Sequence, residues 1–198
     1  IVGGPFVLTD AAALESYGAD ALKQAHPADL VALPGSTEEI ARLVRVCDET
    51  RVPIVVRGGG TGYTGGAVPL RGGLVMSLER LNRILEIDQA SLLARVQPNV
   101  ITGDLQDAVE RVGLFYPPDP ASLRQSALGG NVAECAGGPR AFKYGTTRRY
   151  VLALEAVLPT GEIIHTGSKA VKNVVGYDLT QLLIGSEGTL AIITEIVL

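Results

Sequence analysis

An apolar segment, Ile54-Val55-Val56, runs straight into Arg57-Gly58-Gly59-Gly60-Thr61-Gly62-Tyr63-Thr64-Gly65-Gly66-Ala67. This junction constrains the chain more than any other stretch. Six of the nine residues from Gly58 to Gly66 are glycine. A strand opened by Pro53 is expected to deliver a backbone with almost no side chains. Such a backbone can turn successive N–H groups to one side as an anion-binding nest. No Cβ holds a ligand away from it. Thr61 and Thr64 add hydroxyl donors, and Arg57 adds charge. The plainer alternative is a tight glycine turn between strands, but a turn needs fewer glycines than this run supplies.

The residues downstream of the run exclude two familiar phosphate loops. Gly60, Gly62 and Gly65 match G-x-G-x-x-G, a weak pattern on its own. A dinucleotide fingerprint must open a helix whose N-terminus holds the pyrophosphate. Here the chain continues Gly65-Gly66-Ala67-Val68-Pro69-Leu70-Arg71-Gly72-Gly73, and two glycine pairs with a proline do not make a helix. A Walker A loop needs Gly-Lys-Ser/Thr, which is absent.

A second group lies after the turn Pro117-Pro118-Asp119-Pro120: Ser126, Gly129, Gly130, Asn131, Gly137 and Gly138. Alone it reads as a packed glycine-rich loop. Paired with the first loop it suggests a second backbone nest, and so a long ligand held at several points. A third group, Asn173 to Leu179 followed by Gly185-Ser186-Glu187-Gly188-Thr189, reads equally as a capped helix entering a strand or as a ligand contact. The residues do not separate the two.

The remaining pattern alternates helices and strands. Asp10 starts a short helix that Gly18 breaks. Ser36 and Glu39 form a capping-box pattern ahead of Ile40, Leu43, Val44 and Cys47, a helix ending near Glu49. Leu74–Leu78, a segment ending at Ile87, and Leu92–Val96 read as strands. Ile101 to Val112 is an amphipathic helix closed by Gly113. Val151–Leu158 and Glu162–Thr166 form a hairpin about Pro159-Thr160-Gly161. Asp178–Leu183 is a short helix and Thr189–Val197 a last strand. The expected fold is α+β with two lobes: a small βαβ lobe over about 27–90, and a larger mixed or antiparallel sheet with flanking helices over about 91–198. The break is expected near Asp88–Leu92.

Composition narrows the function classes. A formal net charge of -4 offers no basic surface for nucleic acid. Cys47 and Cys135 make no C-x-x-C pair, and His26 and His165 have no metal-ligand spacing, so neither a disulfide framework nor a metal site is expected. No apolar run reaches membrane-spanning length, and Ile1–Leu8 lacks the features of a secretory signal. A soluble intracellular protein is the expectation.

Val56–Ala67, Pro118–Ser122, Gly129–Gly145 and Lys172–Thr194 together resemble the FAD-binding domain shared by vanillyl-alcohol oxidase and p-cresol methylhydroxylase. Within it, the combination is most similar to the D-subunit of glycolate oxidase and to FAD-linked D-lactate and D-2-hydroxyglutarate dehydrogenases. The resemblance implies that Arg57, Gly58, Gly59, Gly60, Thr61, Gly62, Gly65, Gly66 and Ala67 wrap the FAD pyrophosphate. It lays Pro118, Asp119 and Ser122 along the cofactor. Ser126, Gly129, Gly130, Asn131, Ala133, Gly137 and Gly138 become a second wall, and Tyr144 and Gly145 flank the flavin. Glu187, Gly188, Ile192 and Ile193 meet the adenosine end. Covalent members commonly carry His where this chain has Thr61, so non-covalent FAD is implied.

The implied reaction oxidises a 2-hydroxy acid to the 2-keto acid, the Cα hydride passing to flavin N5 while a base takes the hydroxyl proton. The base and the carboxylate clamp are expected in a substrate-binding cap beyond Leu198, so no catalytic residue is assigned here. The implied partners are the small acid and an electron acceptor or iron–sulfur subunit. The implied location is the cytoplasm, with attachment to the inner membrane only through a complex. Three other readings stay open: a non-catalytic flavin-binding subunit of a glycolate oxidase-type complex, an NADPH-dependent enzyme like UDP-N-acetylenolpyruvoylglucosamine reductase, and a nucleotide-binding regulatory module without redox chemistry.

Overall fold

A computed structural model describes residues 1–198. Two sheets divide the strands. The first holds β1 (Val7–Leu8), β2 (Leu30–Ala32), β3 (Ile54–Arg57) and β4 (Leu74–Ser77), in the order β1-β2-β4-β3. Its β2, β4 and β3 are parallel, and β1 adds antiparallel at the edge. The second holds β5 (Ile84–Asp88), β6 (Leu93–Val96), β7 (Ala153–Val157), β8 (Ile163–Gly167) and β9 (Ile192–Val197), in the order β5-β6-β9-β7-β8. Every pairing in this sheet is antiparallel.

The expected α+β architecture is present, with two boundaries moved. Ile84–Asp88 pairs with Leu93–Val96 in the second sheet, so the change of sheet falls between Ser77 and Ile84 rather than at Asp88–Leu92. The turn at 89–92 is a hairpin connection, tightened by Ala90 and Ser91 N–H groups donating to Asp88 Oδ1. The small sheet also begins earlier than residue 27, because β1 joins it. Strand β2 gave no signal of its own, being three residues long between Pro27 and Pro34.

Six α-helices, α1 (Ala11–Tyr17), α2 (Thr37–Thr50), α3 (Thr102–Glu110), α4 (Leu128–Glu134), α5 (Ala141–Tyr144) and α6 (Leu179–Leu183), and two 3-10 turns, Gly4–Phe6 and Thr147–Arg149, complete the chain. Asp10 caps α1 by accepting from Ala13 N–H at 2.9 Å. Ser36 Oγ caps α2, accepting from Glu39 N–H at 3.2 Å. Glu39 reaches back one residue further than the capping box requires, accepting from Gly35 N–H at 2.7 Å.

Helix α2 joins the two sheets. Its Ile40, Val44 and Cys47 share one core with Leu74 and Met76 of β4 and with Val157 and Ile192 of the second sheet. Ile40 and Met76 are fully buried, each worth roughly 1.5–3 kcal/mol of transfer free energy. Thr37 donates to Glu155 Oε1 at 2.7 Å and Arg45 to the Gly161 carbonyl at 2.9 Å, tying the start and the middle of the helix to the β7–β8 hairpin. Helix α1 covers the opposite face of the small sheet over Val31 and Val75. Helices α3, α4 and α6 pack on the second sheet through Leu105, Val109, Leu128, Val132 and Leu183. The glycine-rich run therefore leaves the carboxyl end of β3 at the junction of the two sheets. Ligands bind at that end of parallel strands.

Candidate functional site

The run Gly58–Ala67 forms no helix, as its glycines and Pro69 require. Its backbone N–H groups are unspent: from Gly58 through Ala67 none donates to any acceptor in the protein. Gly60 takes φ +64, a region few side chains enter cheaply. Gly59 lies flat on the Gln125–Ala127 backbone, where a Cβ would collide with the Gln125 carbonyl. That contact brings the loop against the start of α4 and closes a cleft between them.

The cleft has a volume of about 160 Å³. One wall is Gly58, Gly59, Gly60, Thr61, Gly62, Gly66 and Ala67; the other includes Ser122, Gly130, Asn131, Ala133 and Glu187. A smaller hollow of about 80 Å³ shares Gly58, Gly130, Ala133 and Glu187 with it and extends to Gly129, Gly188, Ile192 and Ile193. A third, of about 340 Å³, continues past Gly188, Ala191 and Ile192 to Val44, Cys47, Pro53, Ile54 and Val157. The three form an elongated slot, polar at the glycine loop and apolar beneath α2.

Several residues expected at the site play other parts. Arg57 turns its guanidinium out of the cleft to the Ala19 carbonyl and towards the Tyr17 ring. It lies under Gly60, where an added Cβ would meet it, and so supports the loop from behind. Pro118 and Asp119 line none of the hollows. The Pro118 carbonyl accepts from Gln106 Nε2 at 2.8 Å. The Asp119 carboxylate is held by Arg140, through its N–H at 3.1 Å and its guanidinium at 3.3 Å. Gly138 packs on the Asp119 carbonyl and Gly137 beside Ala141 and Thr146. Tyr144 stacks edge-on to Phe115, and its carbonyl accepts from Tyr150 OH at 2.7 Å. Gly145 packs on Arg149, and Gly65 makes the turn closed by Val68 N–H. None of Gly137, Gly138, Tyr144, Gly145 and Gly65 reaches the slot.

The second glycine group is not a nest. Leu128–Glu134 is helix α4, because Leu128 and Val132 are fully buried on the second sheet and that packing outweighs two glycines in the first turn. Ser126 and Asn131 hold the helix in place through Thr102. Asn131 Nδ2 donates to Thr102 Oγ1, which donates to the Ser126 carbonyl at 3.0 Å. The Ser126 hydroxyl completes the set at 3.1 Å. All three residues are buried.

The third group docks on the end of α4. Gly185 and Glu187 N–H groups donate to the Val132 and Ala133 carbonyls at 3.0 and 2.8 Å, capping the helix. This holds Glu187 at φ +53 and sets its carboxylate over the cleft. Residues 171–177 form no element and lie exposed. Val56, Pro120, Ala127 and Ala136 in the cleft, and Pro53, Ile54 and Ala191 in the adjoining hollows, were not assigned from the sequence, although Val56, Pro120, Ala136 and Ala191 lie within the stretches that carry the resemblance. Glu134 was missed too, because its place on the cleft follows from the helix α4 that the glycine pair concealed.

The residues fit a long, phosphate-bearing cofactor: unspent N–H donors, a glycine cradle that any Cβ would narrow, and an apolar hollow further along. The comparisons agree. The FAD binding domain family model matches residues 28–167. The chain is 53% identical over 197 residues to the glycolate oxidase subunit GlcD of Bacillus subtilis, covering 98% of this chain and 42% of that protein. It is 48% identical to a D-lactate dehydrogenase of Anaerostipes hadrus, over 82% of this chain and 34% of the relative. A D-2-hydroxyglutarate dehydrogenase of Stutzerimonas stutzeri is 40% identical, over 96% and 41%. Among solved structures, alkyldihydroxyacetonephosphate synthase superposes with a TM-score of 0.83 at 28% identity, over 98% of this chain and 40% of that one. p-Cresol methylhydroxylase gives 0.81 at 24%, over 98% and 40%, a likeness of fold.

The chain belongs to the FAD binding domain family. It spans about two fifths of the length of the curated relatives it matches.

Proposed function

We propose that this chain holds FAD non-covalently, for the oxidation of a 2-hydroxy acid to its 2-keto acid. The observation that carries the cofactor reading is the run of unspent N–H groups on Gly58–Gly62, Gly66 and Ala67, which line a cleft that adjoins an apolar hollow. Those donors meet the pyrophosphate, and Gly130 and Ala133 form the opposing wall. The adenine lies in the hollow between Pro53–Val56 and Gly188–Ile192. FAD, when bound, supplies a two-electron acceptor for hydride. The chain's residues bind it, orient it and shield its phosphates from water.

Non-covalent attachment is supported by the lining of the glycine cleft, which presents Thr61 and no His, Cys or Tyr. The substrate class rests on chemistry common to three relatives' names: glycolate, lactate and 2-hydroxyglutarate share one 2-hydroxy carboxylate. None of residues 1–198 is assigned as the base. The GlcD relative is named as a subunit, which supports assembly with an electron-accepting partner. No helix is long and apolar enough to cross a membrane.

The test uses the full-length protein that carries this chain. Anaerobic addition of glycolate, D-lactate or D-2-hydroxyglutarate is expected to bleach the flavin's visible absorption, with NADPH inert. Bleaching by NADPH and by none of the acids would overturn the reading.

A further inference from the structure

Only two charged side chains line the glycine cleft, and both are carboxylates. Glu134 ends α4, and Glu187 projects from the loop docked on that helix. Thr64 Oγ1 stands between them, 3.4 Å from Glu134 Oε1 and 3.2 Å from Glu187 Oε2. A hydroxyl carries one proton and donates to one carboxylate at a time. The other carboxylate then faces it lone pair to lone pair. The bridge closes fully only when one of the carboxyls carries a proton and donates back.

No cation relieves this pair. On the glycine loop, Arg57 points away to the Ala19 carbonyl. On the segment before α4, Arg124 is paired with Asp107. Beyond α4, Arg140 is paired with Asp119, and Arg148 donates to the Gln181 and Ile184 carbonyls. Thr64, Glu134 and Glu187 all lie at the solvent-exposed rim of the cleft; partial burial, and then the charge of Glu187, push the Glu134 carboxyl above its ordinary range, and the Thr64 hydrogen bond opposes them. An FAD pyrophosphate brings two further negative charges into this cleft. Added like charge disfavours ionisation of one member.

We propose that the Glu134–Thr64–Glu187 bridge takes up one proton when the pyrophosphate of FAD enters the cleft, becoming a donor–acceptor pair beside the cofactor. Cofactor affinity therefore falls as pH rises. The proton belongs to the pair. The proposal rests on FAD occupying the cleft and adds Glu134 to the cofactor site as a positioning residue.

The experiment titrates apo-protein with FAD and with riboflavin from about pH 5 to about pH 8 at constant ionic strength. Calorimetry in two buffers of different ionisation enthalpy counts the protons. For FAD, Kd is expected to rise by up to about tenfold per pH unit above the carboxylate range, with net proton uptake. Riboflavin, which lacks phosphate, gives no such slope. Glu134→Gln is isosteric at the cleft rim and is expected to flatten the FAD slope and bind at least as tightly as wild type at the alkaline end. Glu187→Gln flattens it likewise. A flat wild-type profile, or Glu134→Gln keeping the wild-type slope, would overturn the proposal. Failure of FAD to bind at every pH would instead remove the cofactor reading beneath it.

Discussion

Gly129 and Gly130 are neighbours in α4 with opposite reasons for lacking a side chain. A Cβ on Gly129 would lie 2.6 Å from Pro98 Cβ, whereas one on Gly130 meets nothing within 4 Å and enters the cleft. Gly129→Ala is therefore expected to destabilise the fold by about 1–3 kcal/mol through overpacking. Gly130→Ala is expected to stabilise it by up to about 1 kcal/mol, raising Tm by roughly 2–4 °C, while weakening FAD about tenfold or more. Thermal melts and flavin titration of the two variants check this, and a stabilised Gly130→Ala with unchanged FAD affinity would contradict the placement of the cleft. Glu134 adds a pH signature to the apo-protein. Its carboxyl is raised in the folded state by burial and by Glu187, so ionising it costs stability that was present below the ordinary carboxylate range and is lost as pH rises. The Tm advantage of Glu134→Gln over wild type should grow from acid to neutral pH. At this scale the glycine loop was legible in the sequence because its chemistry is local. Arg57 was not legible: its direction is set by the Ala19 carbonyl and Tyr17, far earlier in the chain.

Helix α4 shows where legibility ended at the level of the element. Gly129 and Gly130 signal a breaker, and only the packing of Leu128 and Val132, together with the Asn131–Thr102–Ser126 hydrogen bonds, makes Leu128–Glu134 helical. By contrast α2 was legible from Ser36, Glu39 and one apolar face, because its cap and its periodicity both lie within the helix. Asn131 was expected to meet the cofactor. Its edge lines the cleft, but its amide is spent on Thr102. Asn131→Ala is predicted to leave a buried hydroxyl set short of a donor and to cost about 1–3 kcal/mol of stability. FAD loss should follow only as far as α4 shifts. Chemical denaturation alongside flavin retention tests this; FAD lost at unchanged stability would make Asn131 a direct contact instead.

Across the molecule, the slot exists because α2 and the glycine loop occupy the seam between a parallel and an antiparallel sheet. The core around Ile40, Val44 and Cys47 includes Val157 and Ile192 from the second sheet, so the two sheets are expected to unfold in one transition. Calorimetry showing two separate transitions in the apo-protein would contradict that coupling. The same seam places the apolar hollow under α2 in line with the glycine cleft, and this continuity was hidden in the sequence, since Pro53, Val157 and Ala191 meet only through the fold. On the proposed function, one FAD lies along the whole slot, held without a covalent bond. The decisive measurement is titration of apo-protein with FAD, followed by acid precipitation. Saturable one-to-one binding, with all the flavin released to the supernatant and FMN unable to substitute, is the predicted result. Flavin retained on the precipitated protein, or FMN binding as well as FAD, would contradict it.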